Sequence, residues 1–531
     1  MREPRGSGGG AEGLDKNTSH AGLLEQVQGR RHRPRRTPPH NLSLRRDALA
    51  GAAFLLAATL VVVGTLEGRR VDVGRNIFVN PPGIIDAYST PTIAENPRRP
   101  DNEIAVFRKE APRLSAQLAW SEDRNATWHT TALPLPPGDD RPFFPDAAFA
   151  PDGTLYVTYV NLTGSGNTPA NLFVAHSSDG GRTLSPPSLI ASGQTFQPRI
   201  AIGPDAVLHV VWLLVMRNGA TPLTNASERV LAVQSTDRGL TWSAPVAVNA
   251  PLEHLVGAAS PTVAGRGVLV VAYKDFGPRA SIPGNGGTAL PGQPYDLLVT
   301  RSIGGAAFSA PTVAASGVQS AQRFSYFFPE FPGIAAGPHD TVYLAWSAGR
   351  EAVVQRSTND GMTWQPPVHL HHPGGGSAAL PAVFVAPEGR VDVVYINRPG
   401  GVPGLFTDIR LATSSDEGRN FRDIRLSSES FDSRIGPTFG AGLPPDLGSH
   451  LGLAGDNNTI DVAWGDTRLG TETTGREDIV AASVTGVGSA VTARWQFVAE
   501  GILVVVGLLL LAWGHLVRPR RERVSAVGES P

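Results

Sequence analysis

The chain has 531 residues and a net charge of −1, which excludes a general electrostatic attraction to nucleic acid. It contains no cysteine, so no disulfide bond can stabilise the fold. Its 60 glycines and 45 prolines indicate frequent turns and a β-rich protein, and arginine far outnumbers lysine, as is typical of a high-GC bacterial genome.

The chain begins with a basic segment followed by an apolar one. Residues 1–46 contain the string GSGGG and nine arginines, seven of them from Arg30 to Arg46, which predicts a disordered basic tail. Residues 47–66 include 19 consecutive uncharged residues, enough to span a bilayer as a helix. A cleaved signal peptide, or a twin-arginine signal at Arg45-Arg46, is the alternative. The apolar run is long for a signal peptide, and Glu67 follows where a small-residue cleavage site is expected.

The other end of the chain repeats this arrangement in reverse order. Residues 497–517 form a second apolar segment with one charge near its start, and residues 518–531 open with four arginines. Cytoplasmic flanks of membrane helices carry such an excess of arginine and lysine. We therefore predict two transmembrane helices as membrane partners, both termini in the cytoplasm, and an extracytoplasmic region over residues 76–487 at the cell membrane.

One motif recurs six times within that region, at spacings of 55 to 67 residues. Its consensus is Ser-x-Asp-x-Gly-x-Thr-Trp, and a decayed copy starts at Ser302. Aspartate closes a tight turn through its own backbone, and glycine two positions later supplies a left-handed conformation. We expect these residues to build turns rather than to perform chemistry. The motif positions with this structural role are Asp123, Asp179, Asp237, Asn359 and Asp416.

A second repeat consists of β-like runs that end on an aromatic residue. The seven aromatics are Phe107, Tyr159, Trp212, Tyr273, Trp346, Tyr395 and Trp464. Upstream of six of them a proline opens another short strand, whereas His450-Leu451 takes that place in the seventh unit. Each unit then contains strands A, B, C and D, and seven such units predict an all-β, seven-bladed propeller, with six blades as the alternative. Residues 76–80 resemble a D strand and are predicted to complete the seventh blade.

Together these repeats resemble the sialidase-like, or Asp-box (BNR), β-propeller superfamily over residues 76–487. The resemblance implies a propeller whose Asp boxes lie away from the ligand site. It does not imply one activity, because the superfamily contains sialidases, other glycoside hydrolases, sorting receptors and assembly factors. Sialidases share an Arg-Ile-Pro motif on the first blade, and the nearest string in this chain is Pro-Arg-Ile-Ala at 198–201, in the third unit.

Long loops between strands B and C mark the face opposite the motif turns as the candidate functional face. Polar residues at the strand ends on that face are the predicted ligand-facing residues. They are Asp146, Arg199, Lys274, Asp275, Tyr326, Glu330, Asn397, Arg398, Asp466 and Arg468. Arginine with carboxylates suits an anionic sugar, because guanidinium pairs with carboxylate through two hydrogen bonds. Ion pairs between blades are the alternative role for the same residues.

Three functions are compatible with these features. The first is a membrane-anchored binding or scaffold propeller for a glycan or protein ligand outside the cell. The second is a sialidase-like exo-glycoside hydrolase, against which the missing Arg-Ile-Pro counts. The third is an assembly factor for a membrane complex. We favour the first and expect no cofactor, no metal site and no nucleic-acid partner.

Overall fold

The computed structural model describes residues 71–139, 141–165, 167–217, 226–278, 294–305, 307–319, 330–370, 374–400, 406–437 and 447–488. The predicted basic tails, both predicted transmembrane helices and Tyr326 lie outside these ranges. All regular structure in the described ranges is β-strand. None of the described residues forms a helix long and apolar enough to cross a membrane.

The strands form seven antiparallel sheets, which are the blades of a propeller. The described part of the chain starts with two short strands, β1 (Asp72–Val73) and β2 (Ile77–Phe78). The first blade contains β3 (Ala87–Asn96), β4 (Arg99–Ala111), β5 (Ser115–Ser121) and β6 (His129–Thr131). The second contains β7 (Arg141–Phe149), β8 (Leu155–Thr163), β9 (Thr168–Ser177) and β10 (Ser188–Ser192). The third contains β11 (Thr195–Ile202), β12 (Leu208–Arg217), β13 (Ala226–Ser235) and β14 (Val246–Ala247).

The next three blades repeat the same four-stranded order. The fourth contains β15 (His254–Ala264), β16 (Val268–Pro278), β17 (Pro294–Ile303) and β18 (Thr312–Gln319). The fifth contains β19 (Gly333–Ala336), β20 (Val342–Ala348), β21 (Glu351–Ser357) and β22 (Val368–His369). The sixth contains β23 (Ser377–Val385), β24 (Val391–Arg398), β25 (Phe406–Ser414) and β26 (Arg422–Arg425), with β27 (Phe431–Asp432) also paired to β25.

The seventh blade combines strands from both ends of the propeller. It contains β28 (Gly452–Gly455), β29 (Thr459–Asp466) and β30 (Asp478–Thr485), and its fourth strand comes from β1 and β2. Ile77 pairs with Ala481 and Phe78 with Val480 in antiparallel register. The prediction that this segment closes the ring is therefore confirmed, and the alternative of six blades is wrong. Closure leaves the ring without a long free sheet edge.

Buried aromatic residues fill the spaces between neighbouring blades. All seven aromatics at the ends of the B strands are buried, and none is more than 4% exposed. Trp464, for example, packs with Leu451 of its own blade and Leu411 of the sixth. Each fully buried large apolar side chain contributes roughly 1.5–3 kcal/mol. The repeated aromatic therefore marks the core between blades.

The Ser-x-Asp-x-Gly motifs form one turn, called here the repeat turn, between strands C and D. In the first blade, Asp123 accepts hydrogen bonds from Ser121 Oγ (2.9 Å) and from the backbone and side chain of Thr127 (2.8 and 2.7 Å). The motif position two residues later has a positive φ, 65° at Asn125 and 79–96° at the glycines of the other four turns. These bonds hold the pKa of Asp123 below its usual value despite partial desolvation. The turn forms as the sequence pattern predicts.

In four blades the innermost strand has a β-bulge immediately before a proline, and this bulge shapes the centre of the ring. Thr90, Phe144, Gln197 and Leu380 have φ between 50° and 56°, and each precedes a proline. The pairing register of the strand shifts at each of these points. A bulge redirects the side chains that follow it. The second residue after each bulge thus occupies an equivalent place: Thr92, Asp146, Arg199 and Ala382.

Candidate functional site

A small cavity, called here the channel cavity, lies where the innermost strands meet. Its volume is about 160 Å³. Six blades and the segments that lead into them line it, with Thr92, Arg199, Pro261, Phe331, Pro381 and His450 among the lining residues. The cavity lies beside the bulges, toward the face opposite the repeat turns. It is smaller than the 300–1,000 Å³ of most ligand pockets, so it fits one terminal group of a larger ligand.

Arg199 is the charged side chain that lines this cavity among the described residues. Its Nη1 lies 3.0 Å from Nε2 of His450, and its Nε lies 3.4 Å from Oδ2 of Asp146. The guanidinium carbon lies 5.1 Å from the centre of the Phe331 ring, within cation–π distance. No hydrogen bond from Nη2 is found to any described residue. The guanidinium is therefore held on three sides and keeps donor capacity at the cavity.

Asp146 fixes Arg199 by joining three blades. Its Oδ1 accepts a hydrogen bond from Thr92 Oγ1 (2.8 Å), and its Oδ2 accepts one from the backbone N–H of Ile200 (2.8 Å). Only 3% of Asp146 is exposed, so solvent screens its attraction to Arg199 only weakly. Asp146 thus supports the arginine and is itself committed to these contacts.

His450 is uncharged in this arrangement. Burial, and then the positive charges of Arg199 and Arg108, hold the pKa of His450 well below its usual value. A neutral imidazole can accept a hydrogen bond from Arg199, whereas a protonated ring would repel it. The ring also meets Phe331 edge-on, with ring centres 5.7 Å apart. His450 therefore orients Arg199 without cancelling its charge.

A second arginine lies buried next to the channel residues. Arg108 is 1% exposed, and its Nε lies 2.7 Å from Oε1 of Glu110. Its guanidinium carbon lies 5.8 Å from the centres of both the Phe143 and Phe144 rings. Because Glu110 neutralises it and little of it reaches solvent, Arg108 supports the wall of the channel and does not line the cavity.

The predicted candidates Lys274 and Glu330 form a buried ion pair between the fourth and fifth blades. Lys274 Nζ lies 3.4 Å from Glu330 Oε2 and 4.6 Å from the centre of the Tyr295 ring. Glu330 also accepts a hydrogen bond from Ser347 Oγ. Burial lowers the pKa of Lys274, and the charge of Glu330 opposes that shift. Both side chains are turned toward each other in the interior.

The remaining candidates lie apart from the channel cavity. Asp275 contacts His254, with both carboxylate oxygens 2.9 Å from Nδ1. Asp466 pairs with Arg468, which also contacts Ser428 and Asn76. Asn397 is fully buried in β24, and Arg398 Nε donates to Ser433 Oγ (3.2 Å). Of the ten predicted residues, the structure thus brings Asp146 and Arg199 together at the cavity.

Three residues of the site were not among the predicted candidates: Thr92, Phe331 and His450. His450 carried a signal in the sequence, because it interrupts the series of prolines at the start of the inner strands. Thr92 occupies the place of Arg199 in the first unit, but a threonine there is unremarkable by itself. Phe331 precedes the short strand β19 and carried no pattern.

No family model and no curated protein matches the chain. Among solved structures, a protein of unknown function from Dyadobacter fermentans is similar with a TM-score of 0.46 and 15% identity, covering 78% of this chain and 99% of that one. An α-L-arabinanase from Penicillium chrysogenum gives 0.39 and 15%, covering 66% and 96%. The endosialidase of phage phi92 gives 0.43 and 10%, covering 78% and 69%.

Proposed function

We propose that this protein is a membrane-anchored, extracytoplasmic propeller of the Asp-box type that binds a carboxylate-bearing sugar in its channel cavity without cleaving it. The observation that carries the proposal is Arg199, which is fixed by Asp146, His450 and Phe331 and retains Nη2 for a ligand. A guanidinium held in this way donates to a carboxylate through charge-assisted hydrogen bonds. Because the Arg199 side chain is already held in place, less conformational entropy is lost when a ligand binds to it.

The size and lining of the cavity favour one terminal sugar. About 160 Å³ admits a single ring or its carboxylate, while the rest of a glycan would extend outward along the loop face. Phe331 offers an apolar surface next to the charge of Arg199, against which the apolar face of a sugar ring can pack. A terminal sialic or uronic acid combines both properties.

The described lining of the channel cavity lacks the catalytic groups of a glycoside hydrolase, which favours binding without hydrolysis. Glycoside hydrolysis needs two groups flanking the scissile bond, a nucleophile or base and an acid. The described lining of the cavity contains no tyrosine and no carboxylate, and a single arginine. Asp146 stands behind Arg199 with both oxygens engaged. If this site hydrolysed a glycoside, the nucleophile or base and the acid would therefore have to come from outside the described ranges.

The membrane part of the proposal is supported by where the chain enters and leaves the propeller. Asp72 and Thr485 are directly paired in the seventh blade, at its repeat-turn side. The first apolar segment ends six residues before Asp72, and the second begins twelve residues after Thr485. Both apolar segments are therefore joined to the same blade by short stretches of chain, as a two-segment membrane anchor requires.

The binding proposal is tested by calorimetric titration of the full-length protein in detergent with 3′-sialyllactose, and with lactose as the neutral probe. We expect binding of the sialylated sugar alone. Arg199→Gln should weaken it by about 10- to 100-fold, because a hydrogen bond to a charged group contributes about 1.5–3 kcal/mol. Arg199→Lys should weaken binding less, because lysine keeps the positive charge but cannot donate two parallel hydrogen bonds to a carboxylate as guanidinium does.

Arg182→Gln is the matched control for this titration. Arg182 belongs to the repeat turn of the second blade, on the opposite face, and pairs with Glu122. Its loss should leave the affinity unchanged. Equal binding of lactose, or equal affinity of the Arg199 variants, would refute the site. Release of sialic acid from the probe by the wild type, abolished in Arg199→Gln, would replace binding with hydrolysis as the function.

The topology is tested by labelling single cysteines, since the chain has none of its own. Cysteines at Ser7, Ser188 and Ser525 sample the two termini and an exposed strand of the second blade. In intact cells, a membrane-impermeant maleimide should label position 188 alone, and all three positions should react after permeabilisation. Labelling of either terminus before permeabilisation would exclude the two-helix anchor.

A further inference from the structure

Three carboxylates meet at the seam where the last blade contacts the first. Glu95 is the penultimate residue of β3, Glu103 lies in β4, and Asp461 lies in β29. One oxygen of each carboxylate lies within 4.8 Å of an oxygen of the other two. Glu103 and Asp461 are completely buried. The cluster, called here the seam triad, lies on the repeat-turn side and is separate from the channel cavity.

The buried oxygens of the seam triad have few hydrogen-bond donors among the described residues. The hydroxyl of Ser483 is the donor beside Asp461, and Glu103 and Asp461 contact each other. No other described donor reaches the oxygens of Glu103 and Asp461 or Oε2 of Glu95. Arg124 is the neighbouring cation, with Nη2 3.8 Å from Glu95 and Nη1 3.5 Å from Asp456. Its ion pairs do not extend to Glu103 or Asp461. Five buried acceptor atoms thus lie together with few donors and with one neighbouring cation, Arg124.

Such an arrangement is unfavourable unless positive charge enters it. Burying an unpaired carboxylate is costly, and neighbouring carboxylates repel one another. Burial accordingly raises the pKa of Glu103 and of Asp461, and it raises that of Glu95 to about 7. The triad can reach a stable state by taking up protons or by binding a cation.

The geometry of the triad fits calcium. Ca²⁺ binds oxygen ligands at about 2.3–2.6 Å, so that two ligands on opposite sides of the ion lie about 5 Å apart. Oxygens within 4.8 Å of one another can therefore share one ion. Mg²⁺ requires shorter, octahedral contacts and keeps several waters, which suits a buried three-carboxylate cluster less well.

We propose that Glu95, Glu103 and Asp461 bind one Ca²⁺ ion that joins the first blade to the last. The ion would connect residues 366 positions apart in the chain, at the one seam that depends on both ends of the propeller. It would act beside the closing strands and thereby stabilise the closed ring.

The test uses the full-length protein in detergent, first freed of metal with EDTA. Calorimetric titration with CaCl₂ should show one binding site. At a Ca²⁺ concentration about 100-fold above Kd, the Tm should rise by about 3–5 °C, because binding to the folded state alone stabilises it. MgCl₂ at the same concentration should produce a clearly smaller shift.

The double variant Glu103→Gln/Asp461→Asn keeps the shape of the triad and removes its buried charge. It should fold, show no calcium heat and lose the Ca²⁺-dependent shift in Tm. Glu417→Gln, at an exposed repeat turn of the sixth blade, should retain both responses. Absence of calcium heat in the wild type, or the same shift in the double variant, would overturn the proposal. An equal response to Mg²⁺ would overturn the assignment to calcium.

Discussion

Lys274→Met is expected to destabilise the full-length protein by about 3–5 kcal/mol in guanidinium unfolding. Lys274 is 1% exposed and faces Glu330, so its removal leaves a buried carboxylate without its counter-charge. Methionine keeps the length and the apolar part of the side chain, which restricts the change to the charge. The loss should appear as a lower midpoint with little change in slope.

A second variant separates the effect of the unpaired Glu330 charge from the effect of altered side-chain packing. In Lys274→Met/Glu330→Gln the remaining amide is neutral and can still accept the hydrogen bond from Ser347, so part of the stability should return. Lys109→Met is the matched control, because Lys109 and Asp86 form a partly exposed pair. Its loss should cost about 1 kcal/mol or less. If Lys274→Met and Lys109→Met lowered the free energy of unfolding equally, the buried pair would contribute no more to stability than the partly exposed one.

The second large effect is expected at the closing strand. Val79→Asp should destabilise the propeller by about 4 kcal/mol, because it places an unpaired charge in the core between the seventh and first blades. Val79 is 3% exposed and packs in a cluster that includes Phe107 and Ile479. Its N–H donates to the carbonyl of Ile479 (2.8 Å), directly beyond the paired residues of β2. Thermal unfolding of the variant measures the loss.

Phe78→Asp provides the control within the same strand. Phe78 is 40% exposed, because successive side chains of a strand point to opposite faces. Its replacement should cost clearly less than that of Val79. A Val79→Asp protein as stable as the Phe78→Asp protein would mean that the N-terminal segment does not close the ring in solution.

The repeats made most of the fold predictable. The turn chemistry of Asp and Gly, the proline at the start of the inner strands and the aromatic at the end of the B strands are local signals that recur in every blade or nearly so. Even ring closure could be predicted, since Asn76–Asn80 resembles the D strand that the last unit lacks. The same signals cannot give the tertiary neighbours of a polar side chain.

The residues of the candidate site were only partly predictable for that reason. Asp146 and Arg199 were found because they occupy equivalent places in consecutive units, and neighbouring blades bring such places together. Lys274 and Glu330 end in the interior, although their positions in the sequence suggested a ligand-facing role. The seam triad was missed entirely and no metal site was expected, because Glu103 and Asp461 lie 358 residues apart and meet only when the ring closes.

The role of Arg199 is tested most directly by a crystal structure of the protein with bound N-acetylneuraminic acid. We expect the sugar in the channel cavity, with its carboxylate about 2.7–2.9 Å from guanidinium nitrogens of Arg199 and its ring against Phe331. His450 should keep its contact with Arg199. A sugar bound with its carboxylate away from Arg199, or outside the cavity, would show that Arg199 is not the ligand-binding group.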